Sequence, residues 1–167
     1  MPVAGPVRVA QLGKYYPPAV GGIETHVRTL ARAQADAGVG VRVLVVGPEG
    51  NGADGPVRVQ RVRRFAGVAR LDVCPGLPAA LRGLARWRPD VWHLHAPNPA
   101  MTLAVLGCPA ARPLVVTHHA DAHGPAPLRP LFRPLELALY RRAARVLATS
   151  PPAAEGSPLL TRFRRKV

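Results

Sequence analysis

The chain has 167 residues, enough for one domain with its own core, or one and a small appendage. Its 48% apolar and 19% charged residues exclude a disordered chain, no run approaches the ~20 apolar residues of a membrane span, and residues 1–18 lack a secretory-signal pattern. A net charge of +14 favours polyanionic partners, but 21 of the 23 basic residues are arginine in an Ala-, Pro- and Gly-rich sequence, as GC-rich coding produces, and 5% aromatic content is poor provision for stacking bases, so nucleic acid is set aside.

Residues 7–12 (VRVAQL) alternate apolar positions and predict a short strand. Residues 22–37 predict a helix with Ile23, Val27, Leu30, Ala31 and Gln34 on one face and Arg28, Arg32 and Asp36 on the other; Gly38 is placed to end it. Residues 41–46 (VRVLVV) read as a buried parallel strand, and residues 57–62 as a strand alternating with arginine. A short helix is expected over 78–86, a strand over 91–95, a helix over 99–106 and a strand over 114–118. A helix over 128–144, a strand over 146–148 and helical turns over 157–163 follow, and a further strand is expected to begin at Arg165-Lys166-Val167. Strands alternating with helices at these spacings imply an α/β fold, a Rossmann-like, doubly wound parallel sheet covered on both faces. Cys74 and Cys108 form no scaffold and lack zinc-site spacing, so free thiols in a cytoplasmic protein are expected.

In such a sheet, ligands bind outside the carboxyl ends of the strands, which singles out four loops. The first, residues 14–22 (KYYPPAVGG), brings Gly21 and Gly22 to the start of a helix, where backbone N–H groups and the dipole attract an anion and no side chain blocks the main chain. It is neither GxGxxG nor GxxxxGK[ST], so the dinucleotide and P-loop readings fail. The second follows His93 and His95, which share one side of a strand, and contains Asn98. The third runs Thr117-His118-His119-Ala120-Asp121-Ala122-His123. Both segments tempt a metal reading, yet neither has a full zinc or two-metal pattern; the expectation is no metal, with one histidine of each segment packed and one facing the crevice. The fourth contains Ser150, which would bind a ligand or cap a turn. No GxSxG elbow is present.

Four ordered segments carry a resemblance. They are Tyr16-Pro17-Pro18 with Gly21-Gly22-Ile23-Glu24-Thr25-His26-Val27, then Asp90-Val91-Trp92-His93-Leu94-His95-Ala96-Pro97-Asn98-Pro99, Val115-Val116-Thr117-His118-His119-Ala120-Asp121, and residues 144–151 with 157–167. Together they resemble the amino-terminal domain of retaining GT-B glycosyltransferases of the family 4 type. The resemblance implies transfer of a sugar from a nucleotide-sugar to a glycan or lipid-linked acceptor, with no metal and no cofactor beyond the donor substrate. It implies that Gly21 and Gly22 meet the donor diphosphate and that His119 is the catalytic residue beside the transferred sugar. Asn98, Asp121 and Ser150 are the further substrate-binding candidates.

The family's second domain carries a Glu-x7-Glu pair, and no two of Glu24, Glu49, Glu136 and Glu155 are eight apart. The chain is therefore expected to span 1–167 as one acceptor-side domain without the donor-binding domain, inactive alone, with a separate donor-domain polypeptide as one source of the missing half. A stand-alone sugar-phosphate or lipid-phosphate binding domain and a metal-dependent hydrolase are the competing functions. Arg82, Arg86 and Arg88, with Leu77, Leu81 and Leu84 beside them, form an amphipathic segment. In family members with lipid-linked acceptors this region lies against the bilayer, so contact with an anionic membrane surface at the inner face of the cell membrane is one expectation. The other is that the leucines pack on the sheet and the arginines face water.

Overall fold

A computed structural model describes residues 5–48, 50–68, 71–121 and 129–167. The strands are β1 Arg8–Leu12, β2 Gly40–Gly47, β3 Gly50–Asp54, β4 Val57–Arg63, β5 Ala66–Val68, β6 Leu71–Val73, β7 Val91–Ala96, β8 Leu114–His118 and β9 Arg145–Ala148. The helices are α1 Gly22–Asp36, α2 Leu77–Arg86, α3 Pro99–Leu106, α4 Arg129–Arg142, α5 Pro151–Gly156 and α6 Pro158–Arg162. Seven strands form one Rossmann-like sheet in the order β3-β4-β2-β1-β7-β8-β9, parallel except where β3 runs against β4.

The predicted α/β alternation is present throughout, with three additions. Gly50–Asp54 makes an antiparallel edge strand, β5 and β6 form a separate two-stranded hairpin, and Pro151–Gly156 is a helix of its own. The expected strand at the end of the chain is not formed. Residues 163–166 are turns, and the Lys166 carbonyl accepts a hydrogen bond from Val146 N–H.

Period-two alternation divides the sheet into two unlike faces. One face carries Ala10, Leu12, Leu44, Val46, Trp92, Leu94, Leu114 and Val116 and is covered by Leu77, Leu81 and Leu84 of α2, Met101 of α3, Leu139 and Tyr140 of α4, and Leu159 and Leu160 of α6. The other packs Val41, Val43, Val45, Val57 and Val59 against Val27 and Ala31 of α1. On this second face the middle strands are polar: Gln11 of β1, His93 and His95 of β7 and Thr117 of β8 are all buried. Gln11 is registered opposite His93, and His95 opposite Thr117. A buried polar seam thus runs across three strands under α1. Burial without partners costs on the order of 1–3 kcal/mol per group, and here the members of the seam hydrogen-bond one another.

From β1 the chain moves to β2 on one side and later returns to β7 on the other. The loops leaving β1 and β7 therefore diverge, which opens the switch-point crevice at the carboxyl edge of the sheet.

Candidate functional site

The crevice is built from the loop between β1 and α1, the end of β7, and the residue after β8. His119 sits one residue beyond β8, its N–H donated to the Ala96 carbonyl at 2.9 Å. Because side chains alternate, His118 points to the other face, where its Nδ1 lies 2.6 Å from the hydroxyl of Tyr140 in α4. His118 is buried and His119 half-buried. The expected division of this pair is found. In the other pair it is corrected: His93 and His95 are both buried, stacked with ring centroids 4.5 Å apart. The strand's period puts both under α1, and His93 Nε2 binds Thr117 Oγ1 at 2.7 Å.

His119 is held by a directional chain of hydrogen bonds. Gln11 Nε2 donates to Gln34 Oε1 of α1 at 2.8 Å, which leaves Gln11 Oε1 as an acceptor. His95 Nε2 lies 2.7 Å from that oxygen and so carries the proton. His95 Nδ1 is then a lone pair, and His119 Nε2, 3.0 Å away, donates to it. His119 keeps Nδ1 as its one acceptor nitrogen. Burial, with the neighbouring imidazoles adding to it, lowers His95 to about 2. Burial, with help from His26 and His118, lowers His119 to about 4, and burial lowers His93 likewise to about 4. All three rings are neutral at pH 7. His26, exposed on α1, completes the group with its ring centroid 4.8 Å from His119 and 5.6 Å from His95.

Gly21 caps α1 in an extended conformation, and a Cβ there would overlap the Glu24 carboxylate, which folds back over the first turn. At Gly22 nothing lies within 4 Å of a Cβ position, so the main chain at the helix start is open. Asn98 is buried; its Oδ1 accepts from Met101 N–H at 3.2 Å as the cap of α3, while its Nδ2 has no partner among the described residues. Asp121 accepts from Ser157 Oγ at 2.8 Å and lies 3.6 Å from His118 Nε2, which ties this loop to α6. Ser150 caps α5 through Ala153 N–H at 3.3 Å. His123 lies outside the described residues.

The Glycosyltransferase Family 4 model matches residues 20–156. The chain belongs to glycosyltransferase family 4. A comparison with curated proteins gave no match. The matched span holds Gly21 and Gly22, the His93–His95 strand and His119, so the family assignment and the crevice coincide. Sequence reasoning on this family 4 domain missed Gln11, Gln34 and Thr117 as the groups that orient its histidines. The available signal was the single glutamine in an otherwise apolar strand end, Val9-Ala10-Gln11-Leu12.

The arginine segment differs from one of its two expectations. Leu77, Leu81 and Leu84 are 0–4% exposed and belong to the core, so they form no stripe for lipid. Arg82 and Arg86 are exposed on α2, and Arg88 follows the helix with a left-handed φ of 57°. No helix among the described residues is long and apolar enough to cross a membrane. Cys74 and Cys108 are free and buried.

Proposed function

We propose that this family 4 domain is the acceptor-side half of a GT-B glycosyltransferase that moves a sugar from a nucleotide-sugar to a glycan or lipid-linked acceptor with retention of configuration. The observation that carries the reading is the meeting of a half-buried, neutral His119 with His26, barely one turn from the open start of α1. The N–H groups of the first turn of α1, which a helix leaves without intrahelical partners, supply the site for the donor's phosphates beside Gly21 and Gly22. His119 then faces the transferred sugar. Glycosyl transfer passes through an oxocarbenium-like state, and a neutral imidazole can hydrogen-bond a sugar hydroxyl without adding positive charge beside it. Asn98 and Asp121 set the two loops that flank His119, and Ser150 lies at the same sheet edge after β9. Most of the nucleotide contacts and the Glu-x7-Glu pair belong to a donor-side domain, so the 167 residues alone turn over no substrate. A lipid-linked acceptor on an anionic surface would be met by the guanidinium groups of Arg82, Arg86 and Arg88, electrostatically and without insertion.

The test is an NMR titration of the isotopically labelled chain with a panel of nucleotide-sugars. Weak binding is expected, because a helix start alone contributes roughly 1 kcal/mol to holding an anion. The amides of residues 21–23 and the His119 ring signals should move together. Shifts confined to the arginines of the outer surface would overturn the assignment.

A further inference from the structure

We propose that Arg8, Arg42 and Arg58 form a second anion site, for a phosphoryl group, at the amino-terminal edge of the sheet. This edge is the one opposite the crevice, and the three residues lie on the face that α2 covers. Arg8 shares its side of β1 with Ala10 and Leu12, Arg42 its side of β2 with Leu44 and Val46, and Arg58 its side of β4 with Val62. The register sets Arg42 directly opposite Arg58 and pairs Arg8 with Gly40, one diagonal step from Arg42. Adjacent strands stand about 4.8 Å apart, so guanidinium groups on long stems from β1, β2 and β4 can converge on one small anion.

Trp87, which ends α2, joins the row into one surface. The Arg42 guanidinium lies over its ring, 4.6 Å from the centroid, and Arg8 Nη1 donates to its carbonyl at 2.7 Å. Gly40 leaves the room for this: a Cβ there would touch the Trp87 ring at 3.5 Å and the Arg8 side chain at 3.6 Å. Among the described residues the row has no counter-ion. Arg28 and Arg32 pair with Asp54, Arg64 with Asp72 and Arg133 with Glu136, but no carboxylate pairs with Arg8, Arg42 or Arg58. Asp90, at the same edge, accepts the Arg8 main-chain N–H at 2.8 Å through Oδ2. Like charges directly opposite each other on adjacent strands destabilise a sheet. Burial, and then the charges of Arg58 and Arg8, hold the Arg42 guanidinium below its usual value. A doubly charged phosphoryl group offsets that repulsion, and the planar forks of the guanidinium groups match its oxygens. The Trp87 ring holds the Arg42 fork in place beneath it.

The two tryptophans give the experiment its reporter, since Trp92 is buried and Trp87 only half-buried. The 167-residue chain is titrated with inorganic pyrophosphate and, in parallel, with phosphatidylcholine vesicles with and without phosphatidic acid. Sodium chloride at matched ionic strength is the control. Tryptophan fluorescence should change saturably with pyrophosphate, with the phosphatidic acid vesicles or with both, which separates a free phosphate from a lipid headgroup. Arg42→Gln and Arg58→Gln should each weaken the response about tenfold, and Trp87→Phe should abolish it. Arg58 is exposed, and without anion the thermal midpoint of its variant should equal or exceed the parent's. Pyrophosphate bound only at the start of α1 would leave both arginine variants at parental affinity, so the outcome stands apart from the transferase reading. No saturable change with either probe, or parental affinity in both variants, would overturn the site.

Discussion

Gly22 offers the sharpest separation of binding from folding at a single residue. Its Cβ position is open and it begins a helix, so Gly22→Ala should leave stability unchanged or raise it by up to about 1 kcal/mol. The added methyl nevertheless stands on the main chain that is to meet phosphate, and calorimetry should show weaker binding of nucleotide-sugar. Equal affinity would place the anion elsewhere. At this scale the sequence pointed correctly to a helix start and to different fates for His118 and His119, because alternation along a strand is a local property. It did not reveal that His93 and His95 are both buried. That depends on α1 lying over the polar seam, and on Gln11 and Gln34 meeting across 23 positions of sequence.

Elements are closed at their ends by cations that carry no local signature. Lys166 Nζ donates to the carbonyls of Tyr140, Arg141 and Ala143 at 3.1, 2.6 and 2.7 Å, satisfying the last turn of α4. Arg142 donates to the Val105 carbonyl at 2.6 Å and to those of Leu106 and Ala111 at 3.2 Å, closing α3 in the same way. Lys166→Ala should therefore cost roughly 1–2 kcal/mol, read as a lower urea midpoint. An unchanged midpoint would mean that water serves those carbonyls equally well. A strand was expected where Lys166 lies because Arg165-Lys166-Val167 has no pattern that distinguishes a cap from a strand start. The helices α1, α2 and α3 were legible within about a residue, since the apolar faces of α1 and α2 repeat and Gly38, Pro78 and Pro99 punctuate the three. The edge strand Gly50–Asp54 was not. Its glycines and exposed positions lack any apolar alternation, and its place is fixed by pairing with β4 and by Asp54, which receives Tyr16 Oη–H at 2.9 Å and Arg28 Nε–H at 2.7 Å.

For the whole molecule, the buried imidazoles couple stability to pH. His93 and His95 titrate at about 4 and about 2 in the folded chain, against 6.5 for the free side chain. The unfolded chain therefore binds more protons below pH 6.5, and stability falls as the solution is acidified from 6.5 towards 4 and below. Each such histidine adds a slope of at most about 1.4 kcal/mol per pH unit. Half-buried His119 adds less, since solvent screens it. The urea midpoint should be steady above pH 7 and decline between pH 6.5 and 4.5. A flat profile there would show that the histidines are protonated within the fold.

The sheet order, the open start of α1 and the hydrogen-bonded chain from Gln34 to His119 all converge on one crevice. Sugar transfer from a nucleotide-sugar, measured on this chain joined to a family 4 donor-side domain, tests that convergence most directly, with His119→Ala and His118→Ala compared side by side. The expected result is turnover by the joined protein and none by the 167 residues alone, with a loss of about a hundredfold or more for His119→Ala and a far smaller one for His118→Ala. Turnover by His119→Ala at the rate of the joined parent, or a larger loss at His118, would contradict the placement of the reaction at His119.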